Sequence, residues 1–465
     1  MTFMGSGRRR DRPADALRIA RATSRVAKIS PALLALAIFL AVALLFTGLL
    51  TLPFAANDGR STPIHDAMFT AFSAVTVTGL VSVDTAEHWS FFGQAVILLG
   101  IQIGGLGIVT IALLLSRAVT RSLGVQVRIF AQQGIGTNKL GEVQSLLRIV
   151  VLTTLVLELA LAAVLVPRLI IVEQSWPQGL WHGIFYAVSS FNNAGFSPNE
   201  GGIAAYDGDL WVLVPAMIGV LVGSFGFPVF LVLMMSRNHW RNWSLHTKLT
   251  LTTTTILLVL GAVAWGGFEW ANQATIGGMS PSDKIFHSLF ASVMMRSGGF
   301  SLTDYDASNP VTLLVTDALM FVGGGSASTA GGIKVTTIAV LFLAIVAEAK
   351  GDKNVMIFGR TIPQGVLRVA ISVTFLGATL VLVATGLIML VSDAPLDRIL
   401  FEVISAFATC GLSVGLSEEL DPFGLYVLTA LMFAGRVGPI GLASALAIRR
   451  RNLLFRYPEE RPVIG

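Results

Sequence analysis

The chain has 465 residues, 54% of them hydrophobic and only 13% charged, with 32 Lys and Arg against 27 Asp and Glu. A soluble domain carries about 25% charged residues, so this composition excludes an ordinary water-soluble protein and implies that most of the surface faces lipid. The single cysteine, Cys410, excludes intramolecular disulfides and cysteine-based metal clusters, and the six histidines form neither an HExxH motif nor a close pair, which argues against a zinc hydrolase.

Residues 1–29 form a basic arm with Arg8, Arg9, Arg10, Arg12, Arg18, Arg21, Arg25 and Lys28. A cytoplasmic anchor that fixes membrane orientation is the preferred reading over a nucleic-acid arm. The first apolar run begins near Ser30 and is too long for the core of a secretory signal. Apolar runs then fall at 31–54, 92–116, 145–172, 210–235, 249–270, 311–347, 367–391 and 424–448. Each is near or above the ~20 residues needed to cross a bilayer. Between the members of each pair lies a shorter amphipathic stretch: His65–Val75, Trp181–Ser190, Lys284–Met295 and Asp397–Thr409. These are too short to span and too apolar for ordinary loops, the character of half-helices that dip into the membrane and return.

The four stretches are copies. Each has a proline near its start (Pro63, Pro177, Pro281, Pro395) and a glycine after it (Gly79, Gly195, Gly299, Gly411), at offsets of 16, 18, 18 and 16 residues. Leu80, Phe196, Phe300 or Leu412 follows the glycine. Ten residues before it stands Phe69, Phe185, Leu289 or Phe401, and six before it Ser73, Ser189, Val293 or Ser405. Such a register defines a repeat. The expected fold is an all-α membrane protein of four tandem helix–pore loop–helix repeats, eight transmembrane helices plus four pore helices, around one central pore. The boundaries are the arm at 1–29, repeats at 30–120, 121–240, 241–350 and 351–450, and a cytoplasmic tail at 451–465.

Basic residues orient the chain. The arm and the segments Arg117–Arg148, Arg237–Lys248, Lys350–Arg368 and Arg449–Arg461 carry all Lys and Arg but seven. Of those, Arg60, Arg168, Lys284, Arg296 and Arg398 fall on the other side, and Lys334 and Arg436 lie inside apolar runs. The positive-inside rule puts both termini in the cytoplasm and the four loops outside. The outer side is acidic, with Asp58, Asp66, Asp84, Glu87, Glu200, Asp207, Asp209, Asp304, Asp306, Glu418, Glu419 and Asp421. That surplus concentrates cations and argues against an anion pore.

Each short helix is expected to start at its proline, with Ser61, Ser280 or Asp393 able to cap it, and to run inward. Its C-terminal dipole end favours a cation there, and the following segment returns with its carbonyls toward an axis, as in potassium filters. The filter segments are Val75-Thr76-Val77-Thr78-Gly79, Asn192-Asn193-Ala194-Gly195, Arg296-Ser297-Gly298-Gly299 and Thr409-Cys410-Gly411. The carbonyls of Thr78, Ala194, Gly298 and Cys410 are the expected K+ ligands. Four unlike strands sharing one glycine each predict looser selectivity than a tetrameric channel with two glycines per strand. A competing reading makes these glycines mere helix terminators.

The sixth apolar run is too long and is interrupted by Gly323-Gly324-Gly325-Ser326-Ala327-Ser328-Thr329-Ala330-Gly331-Gly332-Ile333-Lys334. It does not fit GxxxxGK[ST], so nucleotide binding is rejected. Broken backbone at membrane depth survives only where it is buried or lines water, and a loop able to obstruct the pore is the expectation. Arg436 needs a partner at membrane depth. It is expected to face the pore, contact the carbonyls of that loop and repel cations when the gate is shut; a structural clamp is the alternative. Glu158 is the other isolated membrane charge, with no expected role beyond a helix–helix hydrogen bond.

With TVTGL at Thr76–Leu80, NNAGF at Asn192–Phe196, RSGGF at Arg296–Phe300, TCGLS at Thr409–Ser413, the glycine-rich segment 323–334 and Arg436, the chain resembles the Trk/Ktr/HKT superfamily of potassium transporters. The resemblance spans about residue 30 to 450 and is nearest to the membrane subunit of the Ktr system. It implies a homodimer with one pore per subunit, K+ as the transported ion and uptake that is often sodium-dependent. It also implies a cytoplasmic ring of nucleotide-binding regulatory subunits as partner. The family's filter glycines map onto Gly79, Gly195, Gly299 and Gly411 and its intramembrane gate onto 323–334; glycine rather than serine at 79 favours potassium over sodium. No GxGxxG follows a strand and Gly134-Ile135-Gly136 is too isolated to count, so neither nucleotide nor nucleic acid is expected on this chain. The alternatives are a sodium-permeable or weakly selective pore and an alternating-access symporter, which would usually show two-fold repeats. An intramembrane protease lacks a Ser/His or paired-Asp motif, so no enzyme is expected.

Overall fold

The computed structural model describes residues 31–107, 143–236 and 240–448. The basic arm, the tail at 451–465 and Gly134-Ile135-Gly136 lie outside the described residues. In chain order the helices are α1 (Pro31–Leu50), α2 (Ile64–Thr76), α3 (Phe91–Gly105), α4 (Val143–Glu173), α5 (Trp176–Asn192), α6 (Leu210–Phe225) and α7 (Phe227–Ser236). There follow α8 (Leu245–Glu269), α9 (Pro281–Met294), α10 (Pro310–Met320), α11 (Val335–Ala349), α12 (Gln364–Met389), α13 (Leu396–Ala408) and α14 (Pro422–Ile448). Two-residue strands β1 (Met356–Ile357) and β2 (Arg360–Thr361) form a hairpin between α11 and α12. Its turn residues Phe358 and Gly359 both have positive φ, 50° and 71°, as a two-residue turn of this hand requires.

Helices α4, α8 and α12 are each long and apolar enough to cross a bilayer, yet only 17%, 33% and 17% of their apolar windows are buried within the protein. Leu159, Val263, Phe375 and Leu382 on them are exposed. A helix apolar on its outer side as well as its inner one needs lipid around it. Shorter apolar helices cover Ala35–Leu50, Phe91–Gly105, Pro310–Met320, Val335–Ala349 and Pro422–Gly438.

Two apolar runs are not continuous. The run at 311–347 breaks where glycine predicts it, into α10 and α11. The run at 210–235, read as one span, bends by 99° between α6 and α7. The hinge is Gly226, at φ +89°, where a β-carbon would fall 2.5 Å from the Ser326 carbonyl oxygen. The freed Phe227 N–H bonds to the Ala327 carbonyl at 3.2 Å, so the second break is held open by the first.

Helices α2, α5, α9 and α13 match the four amphipathic stretches to within a few residues at each end. Only Ser280 caps its helix with a side chain, accepting the Asp283 N–H at 3.3 Å. Ser61 instead donates to the Thr51 carbonyl at 2.7 Å, and α13 has no side-chain cap. All four are packed among other helices: α2 against α1, α3 and α14; α5 against α3, α4 and α6; α9 against α6 and α8; α13 against α10, α12 and α14. Phe69, Phe185 and Phe401 are fully buried, but Leu289 is 44% exposed and Phe290 is buried in its stead. The third copy is therefore displaced by one residue. Helix α9 also ends five residues before its glycine, where the other three end three before theirs.

Polar clasps close the loops and helix ends that flank these half-helices. Asn57 N–H bonds to the His88 carbonyl at 2.9 Å and Ala56 pairs with Trp89. Arg168 pairs with Asp209 at 2.8 Å across the ends of α4 and α6. Glu269 at the end of α8 accepts the Asn309 N–H at 2.9 Å and the Thr312 hydroxyl at 2.5 Å. Glu402 on α13 accepts Ser413 at 2.8 Å and Ser417.

Candidate ion pathway

Each half-helix gives way to a left-handed residue two positions before its shared glycine: Val77 (φ 58°), Asn193 (60°), Ser297 (67°) and Thr409 (47°). The glycines themselves also have positive φ, 95°, 72°, 74° and 93° for Gly79, Gly195, Gly299 and Gly411. Left-handed backbone at β-branched Val77 and Thr409 is an outlier that surrounding structure must enforce. The enforcement is visible. Thr78 N–H bonds to the Ser73 carbonyl at 2.8 Å, Ala194 N–H to Ser189 at 2.8 Å, Cys410 N–H to Ser405 at 2.9 Å and Gly298 N–H to Met294 at 2.8 Å.

The serines six residues before the glycine have a physical role. Ser73 Oγ accepts the Gly79 N–H at 3.0 Å and Ser405 Oγ accepts the Gly411 N–H at 3.1 Å. Because the two ends of a peptide unit point oppositely, anchoring these N–H groups on the half-helix turns the Thr78 and Cys410 carbonyls away from it. Ser189 instead donates to the Phe196 carbonyl at 2.9 Å. Val293 has no hydroxyl, and the Gly299 N–H reaches the Met294 carbonyl at 3.4 Å. Thr76 Oγ1 lies 2.7 Å from both the Phe72 carbonyl and Thr78 Oγ1, which fixes the first strand internally.

The four strands meet in a closed ring. A β-carbon on Gly79 would lie 2.2 Å from the Ala194 carbonyl oxygen, and one on Gly195 3.3 Å from that of Gly298. One on Gly299 would lie 2.8 Å from the Cys410 oxygen, and one on Gly411 2.3 Å from the Thr78 oxygen. Strand one thus meets two, two meets three, three meets four and four meets one. The carbonyls at the contacts are the four named from sequence. The C-terminal ends of α2, α5, α9 and α13 abut the ring, and helix dipoles make such ends favourable to a cation. Among the described residues no group of three His, Cys, Asp or Glu gathers that could hold a metal.

Arg296 is the anomaly in this ring of neutral carbonyls. It is 1% exposed, donates Nη2 to the Gly323 carbonyl at 2.6 Å, and has no partner for Nε or Nη1 among the described residues. The cation is thus aimed at the glycine-rich loop. Beside it Ser297 donates its hydroxyl to the Thr409 carbonyl at 2.6 Å and accepts the Gly331 N–H at 3.3 Å.

Segment 323–334 is ordered by these contacts and by others on three sides. Gly323 N–H bonds to the Ile333 carbonyl at 2.8 Å, closing the loop on itself. Gly325 N–H reaches the Ser224 carbonyl at 2.7 Å and Val335 N–H the Gly324 carbonyl at 3.1 Å. Ser328 donates to the Gly325 carbonyl at 2.6 Å and Ser326 lies 3.3 Å from the Thr336 hydroxyl. Ala327 is left-handed at φ 56°. A β-carbon on Gly331 would fall 1.8 Å from Thr409 Oγ1, and Gly332 packs on Ala408. Lys334 turns back to the Ala330 carbonyl at 2.7 Å.

Arg436 joins this loop to a second helix. It is 7% exposed, donates Nη1 to the Thr329 carbonyl and Nη2 to the Gly104 carbonyl of α3 at 2.8 Å. The sequence pointed to the loop carbonyls but not to α3. The last turn of α3 lies behind the ring: a β-carbon on Gly104 would fall 2.1 Å from the Val75 oxygen, and one on Gly105 1.8 Å from Asn192 Oδ1. Gly-Gly-Leu-Gly at 104–107 was a readable sign of close backbone approach.

In the loops around the half-helices two of the basic residues, Arg168 and Arg398, are paired with carboxylates. Arg398 pairs with Asp306 at 2.8 Å and Glu419 at 3.2 Å, and Lys284 donates to the Trp270 carbonyl at 2.8 Å. The acidic surplus remains. Burial, with Asp84 and Glu419 nearby, pushes the Glu418 carboxyl above its ordinary value.

Residues 35–452 match the family model described as TrkH, cation transport protein. The chain is 36% identical over 435 residues to the Ktr system potassium uptake protein B of Bacillus subtilis (strain 168), covering 94% of this chain and 96% of that protein. It is 34% identical over 444 residues to the potassium/sodium uptake protein NtpJ of Enterococcus hirae, covering 94% and 98%. Among solved structures, the potassium transporter TrkH from Vibrio parahaemolyticus aligns with a TM-score of 0.69 over 88% of this chain and 84% of that one, at 20% identity, a likeness of fold.

Proposed function

The chain belongs to the TrkH family of cation transport proteins, a multi-pass membrane protein and no enzyme, and from that premise we propose that it takes up potassium through a pore formed by one subunit. The observation that carries this reading is the closed ring in which the Thr78, Ala194, Gly298 and Cys410 carbonyls each abut the glycine of the preceding strand, Thr78 closing the ring on Gly411. Backbone oxygens that replace the hydration shell, at the negative ends of four helix dipoles, suit a monovalent cation. The repeats are those at 30–120, 121–240, 241–350 and 351–450, with both termini cytoplasmic and the acidic face outward.

The same proposal makes segment 323–334 the gate and Arg436 its latch. Hydrogen bonds from Arg436 and Thr329 hold the loop against the cytoplasmic side of the ring, and moving α11 would break them. Relatives named as proteins B and D of a Ktr system fit a transport system with a separate regulatory partner; the proposal takes that partner as a cytoplasmic nucleotide-binding ring and the membrane subunit as a homodimer. A sodium-permeable pore is the second reading, favoured by the unlike strands and by the relative named for both ions.

The test is growth of potassium-uptake-deficient cells at low potassium, with and without sodium, with a supplied regulator and verified membrane expression. Rescue is expected; failure under those conditions would sink the assignment. Rescue only with sodium would establish coupling.

A further inference from the structure

Two charges buried among the apolar helices, Arg436 and Glu158, attach to the same turn of α3. Arg436 bonds to the Gly104 carbonyl, while Glu158, on α4 and 6% exposed, accepts from Gln102 Nε2 at 3.1 Å. The other Glu158 oxygen accepts from Asn192 Nδ2 at 2.8 Å. The same nitrogen reaches the Val188 carbonyl at 2.9 Å and Gln102 Oε1 at 3.4 Å. Asn192 is the last residue of α5, immediately before left-handed Asn193 and the Ala194 carbonyl. Its neighbour Asn193 bonds the opposite way, to the Val220 carbonyl at 3.1 Å and to Thr329 at 2.6 Å. The second strand is therefore gripped from behind by Glu158 and in front by the glycine-rich loop.

We propose that Glu158 is a positioning residue of the second filter strand, holding it through Asn192 and placing a carboxylate charge behind the cation site. This rests on the pore reading above. Both oxygens receive N–H donors from neutral amides, the pattern of an ionised, acceptor-only carboxylate. Among the described residues no Lys, Arg or His bonds to it. An unpaired buried charge is costly, and a dehydrated cation in the adjoining ring is the counter-charge that offsets it. Ion occupancy and the ionised state of Glu158 then favour each other reciprocally.

The test uses the purified full-length protein in detergent, with thermal stability titrated separately by potassium and by sodium, since an ion that binds the folded state stabilises it by mass action. Glu158→Gln keeps the shape and removes the charge. It is expected to raise the half-maximal potassium concentration by about three- to tenfold, the scale of one screened charge interaction, with the potassium/sodium ratio kept. Glu158→Ala, which also releases Asn192, is expected to lower that ratio as well. A potassium midpoint in Glu158→Gln equal to wild type overturns the proposal even if the alanine variant does not fold. Wild-type protein that potassium stabilises no better than choline would instead refute the pore reading.

Discussion

Thr329 donates its hydroxyl to Asn193 Oδ1 at 2.6 Å, joining the centre of the glycine-rich loop to a strand of the carbonyl ring 136 residues away in sequence. The loop therefore does not hang free beneath the ring. It is fastened to the strand whose backbone the ion would pass.

Thr329→Val keeps the shape and removes this bond. A buried hydrogen bond is worth about 0.5–1.5 kcal/mol, so cation flux without regulator should rise by about three- to tenfold. Radiotracer rubidium efflux from proteoliposomes measures it; flux equal to wild type would show that the bond does not restrain the loop.

Gly79→Ser combines a β-carbon 2.2 Å from the Ala194 oxygen with a backbone at φ +95°. The strand must shift, and potassium/sodium discrimination should fall at least severalfold in competition uptake. Ser73→Ala removes only the anchor on the Gly79 N–H, so a smaller loss in the same direction is expected, at about 1 kcal/mol.

Arg436→Gln retains a donor for one of the two carbonyls on Thr329 and Gly104 but loses the fork that ties them together. Basal flux should increase and regulator dependence decrease. Unchanged flux, measured at equal protein density, would leave Arg436 as a clamp between helices alone.

Glu418 carries a prediction about pH. Its folded value lies above the ordinary carboxylate value of 4.5, chiefly through burial and then through Asp84 and Glu419. The folded chain thus binds this proton more tightly than the unfolded one: the group favours folding below the ordinary value and loses that contribution as pH rises through the raised one. On the proposed reading, which puts this acidic face at the outer mouth, the same titration removes a negative charge there on acidification. Uptake from low external potassium should therefore begin to fall at a pH above 4.5, and Glu418→Gln should flatten that limb, most clearly at low ionic strength.

The four short helices and their glycines were legible in sequence because their marks are local: a proline, an amphipathic turn or three, and a glycine forced by positive φ. Gly79, Gly195, Gly299 and Gly411 and the residue before each come together as the register implied. The hinge at Gly226 was hidden, because one glycine in an apolar run costs a helix too little to announce a 99° bend. Its cause, the Ser326 carbonyl and the Ala327 acceptor, lies a hundred residues later. The one-residue displacement in the third copy was also hidden, since Leu289 and Phe290 are both apolar and only packing chooses between them. Left-handed Val77 and Thr409 defy local preference outright, which is where sequence reasoning should fail at a constrained site.

The glycines behind the ring have a mechanical consequence. At Gly104, Gly223 and Gly435 a β-carbon would fall 2.1, 2.0 and 1.8 Å from carbonyl oxygens of Val75, Phe191 and Phe407. At α2, α5 and α13 the neighbouring helices therefore bear on the half-helices backbone to backbone, whereas Gly261 and Gly266 of α8 meet the Ser292 and Ser288 hydroxyls of α9. A backbone-to-backbone contact is nearly incompressible, so the bore of the ring is set by the spacing of the helix axes. Lateral tension in the bilayer would be transmitted to the proposed ion path through these three contacts.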